Sequence, residues 1–205
     1  TQNKLLLDKF LNNLRKIKGK KILVHGGGRE LDLFLNKNNH PIKMLNGRRI
    51  TDKKTLEYAL MIYAGKINKE IVAKLQSLKI NSLGLCGADA NSVLCKLRTK
   101  NELDYGYVGD IVSINTVFFK LILENNIIPV CSSITYDKDG LLLNTNADTI
   151  ASEISRNMSR IYRTELWYCL EEKGVYQDDN KKKIINKLDM ATFKSLKSKG
   201  IISKG

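Results

Sequence analysis

Apolar residues recur along this chain in two rhythms, and their alternation predicts most of its elements. Leu7, Phe10, Leu11, Leu14 and Ile17 fall at helical spacing, so residues 4 to 17 read as an amphipathic helix that ends at Gly19. Ile22, Leu23 and Val24 then form a short apolar run of the kind that makes a buried strand. Gly26, Gly27 and Gly28 follow at once, and Leu31, Phe34 and Leu35 open a helix over about 29 to 37 that stops before Pro41. Asn46-Gly47 signals a turn, and Thr51 or Asp52 is a natural N-cap for the longest helix, about Lys53 to Leu78. Its apolar stripe is Leu56, Leu60, Tyr63, Ile67, Ile71, Leu75 and Leu78, predicted as a core face.

Beyond it, residues 81 to 86 read as a buried strand, and residues 92 to 110 as short strands and turns, with hairpins over the main sheet. A helix near 114 to 125 leads into a strand at 127 to 131, and Lys138-Asp139-Gly140 turns a hairpin between Tyr136 and Leu143. A helix over 147 to 158, a strand over 164 to 170, a loop over 171 to 175 and a helix over 191 to 199 ended by Gly200 complete the pattern. Strands alternating with helices predict an α/β class with a mostly parallel sheet. Ligands of such sheets lie at the carboxyl ends of the strands.

Two stretches sit at such ends. In Lys21 to Glu30, KILVHGGGRE, a strand runs through three glycines into a helix start. That device lets backbone approach a ligand and offers N–H groups to an anion, and it serves equally as a tight turn with no ligand. It matches neither GxGxxG nor GxxxxGK[ST]. The second stretch, LNTNADTIA from Leu143 to Ala151, crowds polar residues into a helix's first turn, where Asp148 either serves chemistry or favours the helix dipole.

Composition narrows the classes. At 205 residues and 42% hydrophobic the chain suits one sizeable globular domain with room for two lobes. No apolar run approaches membrane-span length and no secretory signal is visible, so a cytoplasmic protein is expected. Cys86, Cys95, Cys131 and Cys169 are scattered without a CxxC, and only two histidines occur, which argues against zinc. Three of the four sit in apolar strand-like runs and are expected reduced and buried. The formal charge of +14 comes from lysines spread over helix surfaces without interleaved aromatics, which suits anionic small molecules better than nucleic acid.

Taken in order, VHGGG, NGRRITD, the long helix with AGKINK at 64 to 69, DYGYVGDI and LNTNADTIA resemble the acetylglutamate kinases of the amino-acid kinase family, over nearly the whole chain. The details look most like the form found in Bacteroidetes-type bacteria. The resemblance implies a three-layer α/β sandwich with a mostly parallel central sheet, of the carbamate kinase-like fold. It implies transfer of the ATP γ-phosphoryl group to the side-chain carboxylate of N-acetyl-L-glutamate, or another N-acylglutamate such as the succinyl form, with Mg²⁺ as the nucleotide's metal. It further implies a homodimer or higher homo-oligomer. By the family's motifs, Gly27 and Gly28 would contact substrate and phosphoryl group through N–H groups, Arg49 would grip the α-carboxylate, Asn144 would hydrogen-bond the substrate, and Asp148 would organise the catalytic lysines. Gly26, Glu171, Glu172 and Gly174 would serve the nucleotide.

Two family elements have no counterpart here. The family opens with a strand ending in Lys-x-Gly-Gly, and it carries a second lysine in Gly-Met-Ile-x-Lys, whose register Lys204 does not match. The fold is therefore expected without its first strand and C-terminal part, and the chain, which begins at Thr1, as a piece of a longer kinase. Residues 1–150 are expected to form the acylglutamate lobe and residues 151–205 part of the nucleotide lobe. The alternative is a catalytically inactive acylglutamate-binding subunit.

Overall fold

The computed structural model describes residues 4–45, 47–99, 103–169, 174–176 and 183–201. In chain order these form α1 (Lys4–Lys16), β1 (Leu23–Val24), α2 (Gly28–Lys37), β2 (Met44–Leu45), β3 (Arg48–Arg49), α3 (Lys53–Ala59), a π-helical segment (Leu60–Ile67) and α4 (Asn68–Ser77). They continue with β4 (Ser82–Leu85), a 3₁₀ turn (Asp89–Asn91), β5 (Val93–Leu97), β6 (Gly109–Ile114), α5 (Thr116–Glu124), β7 (Ile128–Cys131), β8 (Ile134–Tyr136), β9 (Leu142–Asn144), α6 (Ala147–Met158) and α7 (Met190–Ser198). Two compact units result: Thr1–Lys43 with Arg49–Leu166, and Met44–Arg48 with Trp167–Gly205.

The first unit is built on a parallel sheet of order β1-β7-β4. β7 is the middle strand, pairing Leu23 with Val130 on one side and Leu85 with Cys131 on the other. Successive side chains of a strand point to opposite faces, and here they divide the core in two. Val130 packs with Leu11, Leu14, Leu31, Leu35, Tyr63 and Ile71, from α1, α2 and the long helix. Cys131 packs with Phe119, Ile122, Ile150 and Ile154 from α5 and α6. Helices on both faces of a parallel sheet make the three layers. A second sheet, β6-β5-β8-β9, carries the predicted hairpins: β5 with β6 and β8 with β9 are antiparallel, and β5 meets β8 in parallel.

The long helix departs from its prediction in one respect. Asp52 caps it as expected, accepting from the Thr55 N–H at 2.7 Å. The eight residues from Leu60 to Ile67, however, are π-helical between the two α segments. The predicted strand over 164 to 170 is also corrected: residues 164–169 form no strand, and Trp167 is exposed. A strand needs a partner ladder, which local propensity cannot supply.

Cys95 and Cys131 are buried as expected, and burial pushes the Cys131 thiol up to about 12. Cys86 is half-buried and Cys169 exposed, which corrects the expectation for those two. Among the described residues no helix is long and apolar enough to cross a membrane. Within the second unit, Tyr176 bridges to Ile184, and Asp189 caps α7, which Gly200 ends at φ +74°.

Candidate functional site

The glycine turn lies at the carboxyl end of β1, where the His25 N–H extends the ladder to the Cys131 carbonyl (3.0 Å). The three glycines differ in what surrounds them. A Cβ on Gly26 would meet the Ala147 Cβ at 3.6 Å, so the turn abuts the first residue of α6. A Cβ on Gly27 would come within 2.5 Å of Ile67 Cδ1 and 2.6 Å of Tyr63 Cδ1. On Gly28 it would meet nothing within 4 Å among the described residues. Gly27 is therefore glycine so that the long helix can close on the turn, whereas the space beside Gly28 is open. Among the described residues no main-chain hydrogen bond uses the N–H of Gly26, Gly27 or Gly28. Gly27 caps α2 without a side-chain bond.

Arg49 follows from β3. Its Nη2 donates to Asp32 Oδ1 of α2 at 2.6 Å, and its side chain is only 8% exposed. Its Nη1 is buried with no hydrogen-bond partner among the described residues. A buried guanidinium nitrogen without an acceptor is costly, so such an atom marks a place where an acceptor is expected. Tyr63, beneath Gly27, also faces this pair. Burial pushes its hydroxyl up to about 12, Asp32 adds to the rise and the Arg49 charge opposes it, so it stays a neutral phenol.

Asn144 closes β9. Its Nδ2 donates to Thr51 Oγ1 at 3.0 Å, and its N–H to the Tyr107 carbonyl at 2.9 Å. The DYGYVGDI stretch is the splint between Arg49 and Asn144. Thr51 N–H donates to the Tyr105 carbonyl and the Thr51 carbonyl accepts from Tyr107 N–H, at 2.9 and 2.7 Å. Gly106, at φ +68°, lies so close that a Cβ there would collide with the Thr51 carbonyl oxygen. Asp148 sits exposed in the first turn of α6, whose N-cap Asn146 accepts from Thr149 N–H. Within one unit, Gly26 thus abuts Ala147, the neighbour of Asp148, and Asn144 is tied to Thr51, two residues after Arg49.

Gly174 belongs to the second unit, where a Cβ would lie 2.9 Å from Ile184 Cγ2. Glu171 and Glu172 lie outside the described residues.

Three participants were not expected from the sequence. Asp32 anchors Arg49, and Tyr63 supports Gly27. Asn68, wholly buried, donates from Nδ2 to His25 Nε2 at 3.0 Å and to the Val130 carbonyl at 2.8 Å. Asn68 and Asp32 do carry a signal: each is polar beside apolar positions of a core-facing helix, Asn68 between Ile67 and Ile71, Asp32 after Leu31.

The described residues contain no group of three or more His, Cys, Asp or Glu side chains gathered as a cation site.

Comparison with known proteins gives a family model, "Amino acid kinase family", that matches residues 1–205. The acetylglutamate kinase of Parabacteroides distasonis is 42% identical over 200 residues, which cover 97% of this chain and 78% of that protein. That of Cytophaga hutchinsonii is 43% identical over 201 residues, covering 97% and 76%. Among solved structures, smu.665 from Streptococcus mutans UA159 superposes with a TM-score of 0.80 at 26% identity, over 90% of this chain and 72% of that one. N-acetylglutamate synthase from Neisseria gonorrhoeae, complexed with coenzyme A and N-acetyl-glutamate, shares the fold at a TM-score of 0.69 and 19% identity, over 84% of this chain and 39% of that one.

Proposed function

The chain belongs to the amino acid kinase family, and from that premise we propose that its glycine turn, Arg49 and Asn144 bind N-acetyl-L-glutamate for phosphorylation by ATP. The reaction is that of an acetylglutamate kinase: the side-chain carboxylate of N-acetyl-L-glutamate attacks the γ-phosphorus of ATP, ADP leaves, and an acyl phosphate forms, as a step of arginine biosynthesis. The nucleophile is already ionised at pH 7, so no strong general base is required. The difficulty is to hold two anions in line, which falls to cationic groups and N–H donors.

The observation that carries the residue roles is the buried Nη1 of Arg49. With Nη2 held by Asp32, the guanidinium is fixed in orientation and keeps one arm for a carboxylate, which we assign as the substrate α-carboxylate. Asn144, tied to Thr51 through its amide nitrogen, would accept from the substrate amide. The N–H groups of Gly27 and Gly28, at the start of α2, would face the acceptor carboxylate and the transferring phosphoryl group. Asp148 would order the lysines that neutralise the transferring charge. Gly26, Gly174, Glu171 and Glu172 would serve the nucleotide, with residues 1–150 carrying the acylglutamate side and 151–205 the nucleotide side. Mg²⁺ would enter on the ATP polyphosphate, and the active form would be a homodimer or larger homo-oligomer.

The test is acyl-phosphate formation from N-acetyl-L-glutamate and MgATP, trapped with hydroxylamine, beside calorimetric titration of N-acetyl-L-glutamate alone. Arg49→Ala is expected to weaken binding roughly tenfold to a hundredfold, the range for a hydrogen bond to a charged group. In whichever form turns over, the loss should fall on KM more than on kcat, because the contact exists in ground and transition states alike. Unchanged affinity in Arg49→Ala would remove Arg49 from the site.

A further inference from the structure

His25 is not a ligand group in the reading above, yet its ring is held at both nitrogens. Nδ1 lies 2.9 Å from the Gly26 carbonyl oxygen, and Nε2 lies 3.0 Å from Asn68 Nδ2. An amide nitrogen only donates and a carbonyl only accepts. The ring is therefore neutral, with the hydrogen on Nδ1 and the lone pair on Nε2 turned to Asn68. Asn68 has no freedom to reverse this. Its Nδ2 also donates to the Val130 carbonyl at 2.8 Å, and its Oδ1 accepts from Lys69 Nζ at 3.3 Å. A flipped amide would set oxygen against oxygen at Val130.

The consequence reaches the glycine turn. A trans peptide places its carbonyl oxygen and the following N–H on opposite sides. Fixing the Gly26 carbonyl on His25 Nδ1 therefore points the Gly27 N–H away from the half-buried His25 and its partner Asn68. That N–H has no main-chain acceptor among the described residues. Gly27 has Tyr63 and Ile67 pressed against its Cα, so the peptide is clamped at both ends.

We infer that Asn68 is a positioning residue: by fixing the Nδ1–H form of His25, it orients the Gly26–Gly27 peptide so that the Gly27 N–H is presented to a bound anion. Resting on the proposed function, that anion is the acceptor carboxylate of N-acetyl-L-glutamate or the phosphoryl group it attacks.

Two measurements on the full chain test this. Long-range proton–nitrogen spectra of the ¹⁵N-labelled protein should show the His25 hydrogen on Nδ1 at neutral pH, and Asn68→Ala should shift it toward Nε2. A hydrogen on Nε2 in the unsubstituted chain overturns the inference. The second measurement leaves Asn68 intact and compares two amide replacements of His25. His25→Asn places an amide nitrogen where Nδ1 stood and keeps a donor for the Gly26 carbonyl. His25→Gln places its amide opposite Asn68 and gives up that donor. Titration with N-acetyl-L-glutamate should find His25→Gln at least about tenfold weaker than His25→Asn, with similar melting temperatures. Equal affinities overturn the inference, because a merely structural histidine would not separate the two. If the unsubstituted chain itself fails to bind N-acetyl-L-glutamate, the functional reading falls, and the spectra alone decide whether the peptide is oriented as described.

Discussion

At Ala90 the backbone stands at φ +50° and ψ +30°, the left-handed region, and Asn91 follows at φ +52°. Asparagine tolerates that region, whereas alanine pays about 1–2 kcal/mol for the approach of its Cβ to the carbonyl. The turn is held there by its neighbours. Asp89 Oδ2 accepts from the Cys86 N–H at 2.6 Å, Asn115 Nδ2 donates to the Ala90 carbonyl at 3.0 Å, and the Tyr136 hydroxyl donates to Asn91 Oδ1 at 2.7 Å. Glycine at this position would relieve the strain but add roughly 0.4–1 kcal/mol of unfolded-chain entropy to be lost. The balance favours glycine, so Ala90→Gly should raise stability by about 0.5–1 kcal/mol, seen as a higher urea midpoint with an unchanged slope. A lower midpoint would mean that the alanine methyl makes contacts worth more than its strain. No pattern of apolar residues announces this position: the Asp-Ala-Asn run looks like an ordinary turn, and only the backbone angles expose the conflict.

Among elements, the π-helical segment is the one the periodic pattern concealed. Its stripe residues Leu60, Tyr63 and Ile67 are compatible with an uninterrupted α-helix, so an extra residue in the winding leaves the apolar spacing readable but moves the side chains around the axis. The segment and the first residue of α4 gather four contacts on the glycine turn and its helix. Tyr63 and Ile67 close on Gly27, Lys66 pairs with Glu30 in the first turn of α2 at 2.9 Å, and Asn68, one residue further, reaches His25. The contrast between the glycines makes this testable. Gly27→Ala would drive a methyl into Tyr63 and Ile67, and overpacking of that kind costs typically about 1–3 kcal/mol. Gly28→Ala meets open space at a helix start, so its thermal stability should stay within about 0.5 kcal/mol of the original. Its affinity for N-acetyl-L-glutamate should nevertheless fall, because the added methyl enters the side from which the ligand is proposed to approach. Paired melting curves and titrations separate the two. Equal destabilisation by both would show that the turn, and not ligand access, explains Gly28.

For the molecule as a whole, the layers were legible because each rests on local periodicity: helices α1, α2, α5 and α6, the Asp52 cap and the strands β4 and β7 all lie where spacing put them. The site was legible in a different way. The glycine turn and the polar first turn with Asp148 stood out as strand-end stretches, whereas the roles of Arg49 and Asn144 came only from resemblance, since nothing in composition distinguishes Arg49 from its neighbour Arg48. The supporting residues Asp32, Tyr63 and Asn68 escaped because their partners are distant in sequence; Asn68 and Val130, for instance, are separated by sixty-two positions. The strand expected over 164 to 170 failed for the same reason: residues 164–169 form none, since pairing is a property of two segments. One consequence of this non-local construction can be measured on the full chain. The glycine turn, Arg49, Thr51, Asn144 and the start of α6 are joined by hydrogen bonds and packing within one unit, so a ligand that contacts any of them should slow opening of them all. Amide hydrogen exchange reads such opening segment by segment. Saturating N-acetyl-L-glutamate should protect residues 26–31, 49–52, 105–108 and 144–149 together, by about a hundredfold at a hundred times Kd, while α7 in the other unit exchanges as before. Protection confined to 26–31 would mean that the glycine turn binds the anion alone and that Arg49 and Asn144 serve the fold. Protection spread evenly over both units would mean that binding is linked to folding of the entire chain.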